Sequence, residues 1–130
     1  MKRVIGSVVT ASLVAAGLLI GAAPSYASSL PECTTQAGLT SQPATSGGST
    51  DCILWNGTSG DGVKALQTSL ADCNGFSLAI DGQFGPATRA AVEALQSRAG
   101  ISVDGVYGPQ TGAHMSILLE GDATPMCTSG

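Results

Sequence analysis

Apolar residues recur at helical spacing in three stretches of this 130-residue chain. Val63, Leu66 and Leu70 share one face of a first helix, which follows Thr58-Ser59-Gly60-Asp61 and ends at Asn74-Gly75. Ser59 or Asp61 is placed to cap its free amides. A second helix opens at Pro86, where a missing N–H costs nothing, points Ala91, Val92, Leu95 and Ala99 inward, and stops at Gly100. A third opens likewise at Pro109 and carries Met115, Leu118 and Leu119 to about Gly121. Leu78 with Ile80 and Ile101 with Val103 alternate as strands do, but each run is too short to build a sheet alone. The pattern predicts an all-α fold, a small three-helix bundle with two matching loops.

The loops match because the chain repeats itself. Leu78-Ala79-Ile80-Asp81-Gly82-Gln83-Phe84-Gly85-Pro86-Ala87-Thr88 returns as Ile101-Ser102-Val103-Asp104-Gly105-Val106-Tyr107-Gly108-Pro109-Gln110-Thr111. Gly82 and Gly105 admit backbone angles closed to other residues, and the preceding Asp81 and Asp104 can accept amide hydrogen bonds within the turn. Either aspartate has a second available role as a direct ligand contact. Phe84 and Tyr107 likewise have two: pinning the loop to the core, or presenting a ring face. Gly85 and Gly108 leave room for close approach just ahead of a helix start, where free N–H groups suit a carboxylate or an acetamido carbonyl.

The ends of the chain read differently. Lys2 and Arg3 precede an apolar run from Val4 to Ala23, closed by Ser25-Tyr26-Ala27, which predicts a signal peptide over residues 1–27 and a secreted or wall-associated protein. Residues 28–51 are rich in Ser, Thr and Gly without either period and read as a flexible segment. The folded domain is expected over 52–127, with 128–130 as a tail.

Secretion makes the four cysteines a disulfide set. Pairing ends with ends and flank with flank asks least of the geometry, which favours Cys33 with Cys127 and Cys52 with Cys73.

Without residues 1–27 only Lys64, Arg89 and Arg98 stand against nine acidic side chains. Such a chain has no basic patch to neutralise phosphates, so neither nucleic acid nor an anionic membrane surface is an expected partner, and a monomer is the default. No metal or cofactor is expected. His114 is the only histidine, no Cys-x-x-Cys occurs, and the Asp-Gly loops lack the carboxylates a calcium loop needs. An enzyme is not expected either. No nucleophile has a legible base partner, and Glu93 and Glu120 sit on separate predicted helices with solvent-facing spacing.

The doubled loop, with Gly60-Asp61-Gly62-Val63-Lys64-Ala65-Leu66-Gln67 before it and Leu95-Gln96 between its copies, resembles the type 1 peptidoglycan-binding domain. The resemblance runs from about Leu54 to Leu118. It implies a three-helix fold that binds the bacterial wall polymer without covalent chemistry, usually beside a catalytic domain. Leu95 stands where that family usually has Phe, a core exchange. Carried over residue by residue, the implied ligand-binding set is Asp81, Gly82, Phe84, Gly85 and Thr88 of the first loop, Asp104, Gly105, Tyr107, Gly108 and Thr111 of the second, and Gln67 and Gln96. Gln96 has a plainer alternative, holding loop backbone in register. A ring for stacking on sugar is available in Tyr107 or in Trp55, the only tryptophan, which alternatively caps the bundle beside Leu54. The expected function is a secreted, non-catalytic module for peptidoglycan. The alternatives are a protein-interaction or inhibitor domain on the same fold and, further off, a weak wall hydrolase.

Overall fold

A computed structural model describes residues 30–121 and 124–129. The expected signal peptide lies outside the described residues. The first helix, α1, spans Asp61–Thr68 and runs directly into a π-helical turn, Ser69–Cys73. Gly60 holds the cap position and no side chain caps the helix, so neither Ser59 nor Asp61 plays the expected part. The second, α2, runs from Pro86 to Ala99 and ends on Gly100 in the left-handed conformation, as proline-first, glycine-last chemistry dictates.

The all-α bundle is not what forms. The third helix, α3, starts at Pro109 but stops at Gly112 after a single turn, and two small antiparallel sheets complete the domain. One pairs β1 (Thr35–Gln36) with β2 (Pro43–Ala44); the other pairs β3 (Ser116–Leu119) with β4 (Met126–Ser129). The predicted helix through Leu118 and Leu119 is β3 because its backbone finds partners on both sides. Leu118 faces Cys127 in the β4 register, while Ser41 N–H donates to the Leu118 carbonyl at 2.8 Å and Glu120 N–H to that of Leu39 at 2.8 Å. Long-range pairing of this kind overrides a short helical periodicity. Thr128 and Ser129, expected in a tail, belong to β4.

The expected disulfide pairing is also overturned. Cys33 bonds Cys52 and Cys73 bonds Cys127. The physical reason lies in the segment before Cys52, which is not a loose linker over its described part, 30–51. Cys33 N–H donates to the Ile53 carbonyl and Ile53 N–H to that of Pro31, which brings Cys33 beside Cys52. The β1–β2 hairpin then packs against α1. Its fixing is polar: the Ser69 hydroxyl donates to the Ser41 carbonyl (2.7 Å), and the Ser41 hydroxyl accepts from Leu118 N–H (2.8 Å). Both serines are buried, so each bond spares a desolvated group from going unpaired. Composition alone does not register such anchoring.

At the other end, Asn74 stitches the π turn to β3. Its amide nitrogen donates to the Ser69 and Ser116 carbonyls, both at 2.7 Å, and its oxygen accepts from Ser116 N–H. Between these stitches lies the core: Leu54, Val63, Leu66, Leu70, Phe84, Val92, Leu95, Tyr107, Met115 and Ile117, joined by Cys33 and Cys52. Complete burial of each large side chain contributes about 1.5–3 kcal/mol.

Candidate functional site

Each copy of the repeat closes around one buried glutamine. Gln67, on α1, accepts Asp81 N–H (3.0 Å) and Gly82 N–H (2.8 Å) on its oxygen. Its nitrogen shares two hydrogens among Asp81 Oδ1, the Gln83 carbonyl and Thr88 Oγ1, at 2.9, 2.9 and 3.0 Å. Gln96, on α2, repeats the arrangement with Asp104 and Gly105 amides on one side and Asp104 Oδ1, the Val106 carbonyl and Thr111 Oγ1 on the other. Three acceptors face each nitrogen and two donors each oxygen, so the amide orientation is determined. In both loops the glycine after the aspartate has positive φ, 74° at Gly82 and 71° at Gly105, the region that disfavours a side chain.

Asp81 Oδ1 also accepts Gln83 N–H at 2.9 Å, the backbone half of an Asx turn. That bond, with the Gln67 amide, holds the Asp81 carboxyl below the ordinary carboxylate range. Basic side chains lie across both glycines, Lys64 over Gly82 and Arg89 over Gly105, and Arg89 is paired with Glu93 at 2.8 Å.

The two aromatic rings of the repeat point inward. Phe84 is 2% exposed and Tyr107 fully buried, so Tyr107 cannot stack on a sugar. Burial pushes its phenol well above the ordinary value, and a hydrogen bond to the Gln42 side chain counters this only in part. Both rings sit on backbone that pairs with the segment leading into α1. Leu54 and Tyr107 exchange both backbone bonds (3.0 and 2.9 Å), while Phe84 donates to the Thr58 carbonyl and accepts from Gly57 N–H, both at 2.9 Å. Residues 54–60 therefore splint one loop to the other.

A cleft of about 230 Å³ opens beside the second loop. It is lined by Gln96, Asp104, Gly108 and Thr111 from the sequence-derived set, and by Ser102, Val106, Pro109 and Gln110, which sequence reasoning did not assign to a site. Gln67, Asp81, Gly82, Phe84, Gly85 and Thr88 of the first copy do not line it, nor do Gly105 and Tyr107. The cleft is not shared by the two copies: apart from Gln96 of α2, its lining comes from the second copy alone. The missed residues all fall inside the second repeat, and three of the four differ from the first, Ser102 from Ala79, Val106 from Gln83 and Gln110 from Ala87, while Pro109 repeats Pro86. Difference between copies was the signal for those three.

Chemically the cleft offers apolar walls at Val106 and Pro109, a carboxylate at Asp104, and neutral donors and acceptors at Ser102 and Gln110. No basic residue lines it.

Comparison with known proteins finds relatives of this chain by sequence. The chain is 41% identical over 122 residues to the zinc D-Ala-D-Ala carboxypeptidase of Streptomyces albus G, covering 88% of this chain and 45% of that one. It thus spans under half the length of that relative. Among solved structures, a peptidoglycan-binding protein from Clostridioides difficile is 41% identical, with 48% of this chain and 39% of that one covered at a TM-score of 0.47. The endolysin of Burkholderia phage AP3 is also 41% identical, over 47% of this chain and 23% of that one, at 0.45. Both caged loops fall within residues 59–115, and that segment matches the family described as "Putative peptidoglycan binding domain".

Proposed function

We propose that this domain binds bacterial cell-wall peptidoglycan without covalent chemistry, outside the cytoplasm, and that the cleft at the second loop is its contact surface. The observation that carries the reading is the family match over 59–115, which encloses both glutamine-caged loops and the cleft beside the second. The cages support binding over hydrolysis. Asp81, Asp104, Thr88 and Thr111 are engaged by the caging glutamine amides, Glu93 is paired with Arg89, and Glu120 is exposed beyond the end of β3.

Sedimentation of the protein with purified insoluble peptidoglycan tests this. The expected result is saturable co-sedimentation that is lost in a folded Ser102→Arg, Gln110→Ala variant, which obstructs the cleft without touching either cage. Co-sedimentation no greater than that of an unrelated acidic protein overturns the reading. Saturable binding to a secreted protein in that event would favour the interaction-domain alternative.

A further inference from the structure

Two neighbouring residues at the end of the π turn hold β3 and β4 by different means. Asn74 holds β3 by hydrogen bonds, donating to the Ser116 carbonyl at 2.7 Å and accepting Ser116 N–H at 3.1 Å. Cys73 holds β4 by a covalent bond, to Cys127. The first attachment is indifferent to thiols, and the second is not.

The strand β3 is fixed without its partner. Met115, just before it, is fully buried, and Ile117 belongs to the core. On the side away from β4, Leu118 N–H donates to the Ser41 hydroxyl and the Leu118 carbonyl accepts Ser41 N–H, both at 2.8 Å. The strand β4 has no comparable hold. Met126, Cys127 and Ser129 are exposed, Thr128 is half-buried, and none of the four belongs to the core cluster. Its attachments are the ladder with β3 and the bridge to Cys73. A ladder of four residues is marginal in water by itself.

Cys127 is exposed, so a thiolate of a dithiol reductant can attack its sulfur, which breaks the bond to Cys73 and forms a mixed disulfide on Cys127. The second thiol of the reductant then displaces Cys127. The dithiol leaves as a disulfide, having given up a pair of electrons, and its protons end on the Cys73 and Cys127 thiols. Cys33 and Cys52, at 2% and 0% exposure, are out of reach and stay bonded.

We infer that the Cys73–Cys127 bridge is a thiol-operated latch on β4: its opening releases that strand and bares the outer edge of β3, while both glutamine cages and the cleft stay folded. Neither strand and neither cysteine lines the cleft, and no bond of either cage involves them. The latch is therefore separate from the proposed wall contact and does not depend on it.

Alternation along β3 supplies the test. Ser116 and Leu118 turn their N–H groups to Asn74 and Ser41, so those of Ile117 and Leu119 face β4. Amide hydrogen exchange is followed by NMR on the intact protein, before and after a dithiol treatment that alkylation shows to have opened the Cys73–Cys127 bridge. Reduction is expected to speed exchange at Ile117 and Leu119 by roughly tenfold or more beyond any change at Ser116 and Leu118. The Gly82 and Gly105 amide signals should keep their positions, and reoxidation should restore the original rates. Slow exchange persisting at Ile117 and Leu119 overturns the latch, because β4 then holds without its bridge. Equal acceleration at all four β3 amides, displaced Gly82 and Gly105 signals, or opening of both bridges together overturns it as well, because the bond is then a staple of the whole domain.

Discussion

Gln96 does at the second loop what Gln67 does at the first: each presents its oxygen to two successive backbone amides and its nitrogen to an aspartate, a carbonyl and a threonine. The two side chains are fully buried, at 1% exposure each, yet leave no buried side-chain polar atom unpaired among the described residues. The repeat is therefore a folding device, made twice, whose second copy carries a cleft.

Removal of either glutamine should be costly out of proportion to its size. Gln67→Ala or Gln96→Ala leaves two backbone amides and their loop without a buried acceptor, and a loss of about 2–4 kcal/mol is expected in urea unfolding. Gln96→Glu makes a sharper test. It keeps the acceptor but sets a desolvated carboxylate against Asp104, which raises the new group's pKa, so the variant should be least stable at neutral pH and regain stability in acid. A pH-independent deficit would show that the cage does not hold as described.

Asp81 titrates with the opposite sign. Its folded pKa is depressed, by the Gln83 amide first and the Gln67 amide next, so its contribution is present above the unfolded value of about 3.9 and is lost as pH falls through the lower folded value. Thermal melts in the acid range should show the wild type losing stability there more steeply than Asp81→Asn. Parallel curves for the two proteins would remove the carboxylate from the account.

The two disulfides should separate under mild reduction. Cys33 and Cys52 are buried, whereas Cys127 is exposed and Cys73 half-buried, so a thiolate reductant reaches the second bridge first. Alkylation followed by mass mapping is expected to label Cys73 and Cys127 before Cys33 and Cys52. On chain-entropy grounds the bridge closing the longer loop, over a separation of 54 residues against 19, stabilises by about 4 kcal/mol and the shorter by about 3. Simultaneous labelling of all four cysteines would mean that β4 and the N-terminal segment come away together.

Substitution at two core positions should act on folding and not on ligand. A methyl group added at Gly62 would run into the Cys33 carbonyl oxygen, a backbone atom that cannot swing aside, so Gly62→Ala is expected to cost about 3 kcal/mol or more. Tyr107→Ala empties a fully buried site and should cost about 3–5 kcal/mol. Tyr107→Phe keeps the ring and should lose only about 1 kcal/mol while binding peptidoglycan normally. Weakened binding by a fully folded Tyr107→Phe protein would contradict the inward placement of this residue.

Local chemistry by itself determined a good part of this protein. Val63, Leu66 and Leu70 placed α1, and the Pro86 and Gly100 boundaries placed α2, because helix starts and stops depend on a few neighbouring atoms. The Asp-Gly repeat marked both loops and the family for the same reason. What lay beyond sequence was every feature made by pairing across distance. Ser116–Leu119 became a strand because residues 39–41 and β4 flank it. The segment before Cys52 became ordered because Ser41, Ser69 and the Cys33 backbone tie it down. The disulfide partners followed from that docking. Tyr107 and Trp55 were each open to a buried or an exposed role, and register decided for Tyr107: pairing with Leu54 turns it into the core, while Trp55 stays partly exposed. Apolar spacing reports which residues want burial, but only the tertiary structure decides which of two aromatic rings receives it, since the interior has room to close over one and the turn at Thr58 holds the other at the surface.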